Sequence, residues 1–456
     1  MSHRRERVSA VMRRLSAYIA QAPRRAPPAA VTERAKRHLL DTLAAMVSGS
    51  RLPPGRKAIE FARAQGGRPE ACVIGSRIVT TAINAALANG MHGHADETDD
   101  TDYLALVHPG CSIVPAALAM AERNRAGGTA LLRAMALGYD VCARVSKALG
   151  LEPFRSAGHS THSFGGTFGS AAAAGALARV NEEQARHLLS YTAQQVSGLS
   201  CWARDTEHIE KAFDFGGMPA RNGVTAAVMV SMRFTGVEDA ICGHRGLFHA
   251  YPHFARPERL VRGLGREYEI MNTGIKRWPV GYPIQAPLDA VSNLIAKHGV
   301  TARDVERVRV TIDEQGAYTV NSRRMASINI QYLVAVMLLD GEVTFESVHD
   351  DARSRDPAVL RLKGRIELAG SRAFLRTKTA QAVVEIATRD GRRLRHHTKA
   401  VRGAAANPMS REEVAAKGRE LLAPVIGARR AEKLIATVWN IERVPDVTRL
   451  RPLLQA

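Results

Sequence analysis

Aromatic residues are scarce, at 5% of the 456-residue chain. Strands favour aromatic and β-branched side chains, so this scarcity, beside abundant Ala and Gly, argues for closely packed helices and against an all-β fold. Cysteine is scarce too. Cys72, Cys111, Cys142, Cys201 and Cys242 are odd in number, widely spaced and never arranged as C-x-x-C. That pattern excludes a disulfide framework and a cysteine zinc site, and points to a reducing, cytoplasmic compartment. No run of eighteen apolar residues exists, so no membrane span is expected. The basic N-terminus, MSHRRERVSAVMRRLSAYIAQ, has no continuous apolar core. It reads as an amphipathic helix and not as a signal peptide. Acidic residues are the minority charge, 44 against 64 Lys and Arg, for a net charge of +20. The excess is mostly Arg and is spread along the chain, with no basic run flanked by aromatic stacking partners. Nucleic acid is therefore not an expected partner, and the charge reads as an Arg-rich surface that steers anionic substrates.

The length suits two or three domains. Residues 1–21 and 31–49 read as helices separated by the break PRRAPPAA. Leu39, Leu40, Leu43 and Val47 recur at helical spacing before Gly49. Further helices are expected over 55–65, 81–90, 113–122, 129–149 and 181–192. Strand signals are nearly absent up to about residue 265. Val308, Val310 and Ile312 then alternate with polar residues as a half-buried strand. Residues 359–370 can form another strand, and Asp390-Gly391 joins two more at 381–389 and 392–399. Helices are expected from Ile284 to Ile295 and over 328–339. After the capping box Ser410–Glu413 the chain returns to helix. The order predicts a mainly α fold: a large all-helical domain formed from both chain ends, 1–266 and 400–456, with an inserted smaller α+β lid domain, 267–399.

Two stretches carry chemistry. HGHADETDDTDYLALVHPGC, His92 to Cys111, packs five carboxylates between imidazoles at His94 and His108. It lacks the glycine and spacing of an EF-hand, so no metal is assigned to it. SAGHSTHSFGGTFG, 156–169, runs into SAAAAGALARV and reads as a loop feeding a helix N-terminus, where backbone N–H groups can receive an anion.

These stretches sit in an order that resembles the MmgE/PrpD family. The resemblance covers nearly the whole chain, through LLDTLAAMVSGS, NGMHGHADETDDT, HPGCSIVPAALAMAE, GYDVCARV, GHSTHSFGGTFGSAAAA, KAFDFGGMPARNGVTAA, IKRWP, NIQYLVAVMLLDG and NPMSREEV. It implies a cofactor-independent lyase, a dehydratase of the 2-methylcitrate type, acting on a small di- or tricarboxylate in a polar pocket between two domains. An isomerase or epimerase in the same pocket, or a non-catalytic carboxylate binder, are the alternatives. A homodimer is expected. Carried over residue by residue, the catalytic positions are His108, His159, His162, Lys211 and Tyr332. His159 matches the family histidine of the G-x-H segment and is preferred; one extra residue before Gly166 makes His162 the alternative counterpart. Substrate binding falls to Glu97, Asp100, Thr101 and Lys276. The lysines would neutralise carboxylates, the histidines and Tyr332 would move protons at carbon, and Glu97 or Asp100 would orient an imidazole. Gly281 and Gln285 stand where the family often has histidines, with Tyr282 between them. This departure weighs against cis-aconitate decarboxylation.

Overall fold

The computed structural model describes residues 8–252 and 255–455. It is mainly helical, with small sheets. No helix among the described residues is long and apolar enough to cross a membrane. The chain divides into two compact units. One comprises residues up to Ala95, Asp99–Thr273 and Arg411 onward; the other comprises Asp96–Thr98 and Gly274–Ser410.

The first unit is built on α1 (Ala10–Gln21), α2 (Ala29–Gly49), α3 (Pro53–Gln65), α4 (Ala82–Gly93), α5 (Gly110–Arg123) and α6 (Gly128–Ala148). The single turn α7 (Glu152–Ser156) follows, then α8 (Thr161–Leu177), α9 (Glu182–Gln195), the turn α10 (Ile209–Ala212) and α11 (Met218–Ser231). Residues 1–7 of the expected first helix lie outside the described residues. Side-chain caps start several of these helices: Ser9 for α1, Thr81 for α4 and the Asn181–Gln184 capping box for α9. Two strands of two residues, Ala71–Cys72 and Val79–Thr80, pair antiparallel where the sequence shows almost no strand signal.

One expectation is corrected here. The GHSTHSFGGTFG stretch is not a loop up to Gly169. The helix begins at Thr161, capped by Ser160, so its N-terminus lies eight residues before Gly169 and no anion site at that glycine exists. Glycine disfavours helix by about 1 kcal/mol, which is why the segment reads as loop. Packing reverses the choice. A Cβ on Gly169 would meet the Gly138 carbonyl oxygen of α6 at 2.6 Å, and one on Gly165 would meet Ser146 Oγ at 2.5 Å. Only glycines let α6 and α8 approach this closely.

In the second unit a four-stranded sheet runs in the order Ile366–Ser371, Val305–Asp313, Ala382–Thr388, Arg393–Thr398. The first pair is parallel and the others antiparallel. Val308, Val310, Ile312, Val384 and Ile386 face a core shared with the helices Tyr282–His298 and Ile330–Asp340, while Arg307 and Arg309 point outward. Gly391, at φ 88°, makes the Asp390-Gly391 hairpin turn. The strand expected over 359–370 is real only from Ile366. Asp356 caps a helix over Pro357–Lys363, and proline at the first helical position favours that start.

Candidate functional site

The acidic loop after α4 turns its carboxylates inward. Asp100 is fully buried and accepts three hydrogen bonds: from Tyr139 Oη of α6 at 2.6 Å, from the Gly110 N–H at 2.8 Å, and at its Oδ2 from His38 Nδ1 of α2 at 2.7 Å. It therefore ties α2, α5 and α6 to the loop. Asp99, also fully buried, faces the other way. Its Oδ2 lies 2.9 Å from His94 Nδ1 and its Oδ1 lies 3.2 Å from His108 Nδ1. Thr161 at the start of α8 donates to the Leu106 carbonyl at 2.6 Å, which holds the loop against that helix.

A second segment supplies the opposite wall. His208, buried at φ 62°, is a left-handed non-glycine residue, a conformation that costs energy and collects at functional sites. After α10 the chain makes a π-helical turn, Phe213–Gly217, before α11. Such turns also concentrate at functional sites. Its Phe215 is the hub. His162 stacks on it with centroids 3.7 Å apart, and His94 stacks on it at 4.3 Å. Two rings cannot share one face at these separations, so the imidazoles sandwich it. His108 lies 5.2 Å from both His94 and His162, and His208 lies 5.0 Å from His94. Lys211 Nζ sits 5.1 Å from the Phe215 centroid and 5.3 Å from Trp202, in cation–π range.

Burial sets the electrostatics. It pushes the His162 imidazole well below its usual value, and His108, Arg155, His94 and Lys211 add to that, so this ring is neutral near pH 7. Burial pushes the Cys111 thiol up, with Asp99 and Asp100 adding to it. Cys111 donates to the His108 carbonyl at 3.2 Å and behaves as a packed thiol, not as a nucleophile. The donor atoms of His94, Asp99 and Cys111 lie within 4.8 Å of one another. They are committed to hydrogen bonds with each other and with His108. Glu183, His187 and Glu238 form a similar group at the surface, where Arg186 already pairs with Glu238 at 2.5 Å.

Of the residues singled out in the sequence, His108, His162 and Lys211 come together. Thr101 is buried in the same loop, its hydroxyl 3.4 Å from the Val107 carbonyl. His159 lies elsewhere: its ring packs among Phe154, Phe164 and Tyr251, with the Phe154 centroid at 4.6 Å. Asp100 does orient an imidazole, but that imidazole is the buried His38. In the second unit Lys276, fully buried, donates to the Glu97 carbonyl at 2.9 Å and lies 3.5 Å from its carboxylate. Tyr332 Oη donates to the Ser347 carbonyl at 2.5 Å, and burial raises it to about 12. Gln285 is spent on structure. Its oxygen accepts from the Arg277 and Trp278 N–H groups and its nitrogen donates to the Trp278 and Val280 carbonyls. Gly281 opens the helix Tyr282–His298, and a Cβ there would press on Ile328 at 3.1 Å. The sequence reading missed Asp99, His208, Phe215 and Trp202, and left His94 without a role. Asp99 and His94 stood in the acidic stretch it singled out; the π-helical turn leaves no periodic signal.

Architecture and cluster together define a mainly helical chain with a buried imidazole–carboxylate group beside a lysine. Residues 13–259 match the MmgE/PrpD N-terminal domain and residues 278–443 the MmgE/PrpD C-terminal domain. The chain belongs to the MmgE/PrpD family. It is 25% identical to cis-aconitate decarboxylase of Homo sapiens over 446 residues, covering 93% of this chain and 90% of that protein. It is 25% identical to the cis-aconitate decarboxylase-like protein oryM of Aspergillus oryzae, covering 94% and 93%. It is 24% identical to cis-aconitate decarboxylase of Aspergillus terreus, covering 94% and 92%.

Proposed function

We propose that this protein is a cofactor-independent lyase that removes water from a small di- or tricarboxylate. The observation that carries the reading is the convergence of His108, His162 and Lys211 around Phe215. In this reading His108 takes the proton from the carbon next to a substrate carboxylate. The carbon–oxygen bond at the neighbouring carbon breaks, the hydroxyl leaves as water on receiving a proton from a general acid, and a carbon–carbon double bond forms. Lys211 neutralises a substrate carboxylate, with Thr101 as a hydroxyl partner. Glu97 holds Lys276 and Asp100 holds the loop. His162, neutral by burial, is a hydrogen-bonding partner of the substrate. It takes the place for which His159 was preferred, because His159 packs against Phe154 and Tyr251 and not against Phe215.

The named relatives favour a second reading, decarboxylation of cis-aconitate. There a carbon–carbon bond breaks, CO2 leaves and the carbon takes a proton from the same acid. Proton NMR in D2O with methylcitrate, citrate, cis-aconitate, tartrate and iminodisuccinate separates the two. Loss of water from a hydroxy acid supports the first, CO2 release from cis-aconitate supports the second, and deuterium incorporation without net change marks an epimerase. Neither turnover nor exchange on any of the five overturns the enzymatic reading. On the active substrate, His108→Gln and Lys211→Met are expected to lose at least a hundredfold in kcat/KM. His159→Ala is expected to stay within about threefold; equal losses in all three would return His159 to the site.

A further inference from the structure

We infer that Asp99, braced by His94, is the positioning residue for His108: one buried carboxylate accepts a hydrogen bond from Nδ1 of both imidazoles and so dictates which nitrogen of His108 handles protons. The inference rests on the acid–base role proposed for His108. An ionised carboxylate only accepts hydrogen bonds, so each ring facing it must carry its proton on Nδ1. The two oxygens are divided, Oδ2 to His94 at 2.9 Å and Oδ1 to His108 at 3.2 Å. Asp99 and His94 are fully buried, whereas His108 keeps 11% of its side chain exposed. The bridge is therefore asymmetric. His94, clamped on Phe215 at 4.3 Å and beside His208 at 5.0 Å, is the fixed end. His108 is the reachable end, and its Nε2 is the nitrogen left to meet a substrate.

Cys111 bonds the His108 backbone carbonyl and its thiol also bonds Asp99, a weak neutral donor that leaves both imidazole contacts in place. His162 packs beside His108 with ring centroids 5.2 Å apart. Asp100, next along the chain, is taken up by His38, Tyr139 and Gly110. A carboxylate that fixes an imidazole tautomer is worth orders of magnitude in kcat where it has been removed, because the ring is then held with the wrong nitrogen protonated.

The test has two arms on the full-length protein. Imidazole ¹⁵N NMR of histidine-labelled protein at pH 8, with His94 and His108 assigned from His94→Gln and His108→Gln spectra, reads the tautomers directly. Both rings are expected as Nδ1–H in the unmutated protein. Asp99→Asn, folded by circular dichroism, is expected to give His108 a mixed or Nε2–H tautomer. If His108 is already Nε2–H in the unmutated protein, or if Asp99→Asn leaves it Nδ1–H, the inference is wrong. The unmutated spectrum decides even if the variant fails to fold. In the second arm, Asp99→Asn should lower kcat a hundredfold or more with KM within about threefold; a loss confined to KM or to thermal stability would reduce Asp99 to a structural residue. The two readings fail separately. Full activity in His108→Gln sinks the role of His108 while the tautomer result stands, and an inactive His108→Gln beside an Asp99→Asn of normal tautomer and kcat sinks only this inference.

Discussion

Asp214 shows how burial at single residues couples this protein to pH. It lies in the π-helical turn, only 6% exposed, and accepts from Ser160 Oγ at 2.5 Å. Burial is the main cause that pushes its carboxyl from 3.8 up to about 7. A folded value above the unfolded one means that the folded state holds the extra proton between them. Stability therefore falls as pH rises from 3.8 to about 7, and the full penalty stands above that. At about 1.36 kcal/mol per unit the ceiling is about 4 kcal/mol. Asp102, fully buried and also pushed up to about 7, adds a second increment of the same sign. His92, pushed down to about 4 by burial, acts oppositely: its contribution is present above 6.5 and fades as pH falls towards 4. The informative quantity is thus a difference between variants. Asp214→Asn should gain on the parent protein by a few kcal/mol between pH 5 and pH 8, read from thermal unfolding at both. A pH-independent difference would show that Asp214 is ionised when folded. At this scale the sequence was legible in part. Histidine and acid types marked the stretches that supply His94, Asp99, His108 and His162, but that His162 meets Phe215 while His159 meets Phe154 depends on a segment fifty-three residues beyond His162.

At the scale of elements, the contact between α6 and α8 explains a composition that reads as loop. Gly138 and Gly169 each point at the other's backbone carbonyl, and Gly166 faces Ser112 Oγ at 2.8 Å. Adding a methyl group here overpacks a backbone that has nowhere to move. Gly169→Ala is expected to lose about 1–3 kcal/mol in urea unfolding. Gly418, in the helix Arg411–Ile426, is the control. Its nearest neighbour to an added Cβ is Leu40 at 3.6 Å, so Gly418→Ala should be neutral or gain about 0.5–1 kcal/mol from helix propensity. Should both substitutions cost the same, close approach of backbones is not what selects glycine in α8. Helices with apolar periodicity, such as α2 and Tyr282–His298, were legible because their period is local. The π-helical turn was not, since nothing in the order KAFDFGG distinguishes one extra residue in a turn from ordinary helix.

At the scale of the whole molecule, the first unit draws on residues from both ends of the chain. A buried ion pair marks that closure: Lys417 Nζ lies 2.6 Å from Asp41 Oδ1 of α2, both almost inaccessible to solvent. Burial pushes the Asp41 carboxyl up and Lys417 pulls it back. Removing one member leaves the other charge stranded, so Lys417→Met is expected to cost about 3–5 kcal/mol. The double substitution Asp41→Leu with Lys417→Met should recover most of that in a double-mutant cycle. Additive losses would mean that the two side chains act independently. We also propose a homodimer, as the family resemblance implies; gel filtration should give twice the monomer mass, and elution as a monomer would contradict it.

The sequence by itself determined the helical character, the strand alternation and hairpin between 305 and 398, the family, and the two stretches that supply His94, Asp99, His108 and His162. These follow from period, turn residues and motif order, all of which are properties of neighbouring positions. Tertiary structure decided which acid serves which imidazole. Asp99 and Asp100 are adjacent and chemically identical, yet one bridges His94 and His108 while the other binds His38, Tyr139 and the start of α5. Adjacent side chains leave an extended loop on opposite sides, and what each meets there is set by helices distant in sequence. The same holds for His162 over His159. Three residues along the chain move an imidazole from an aromatic nest into the cluster around Phe215, because Ser160 starts a helix between them.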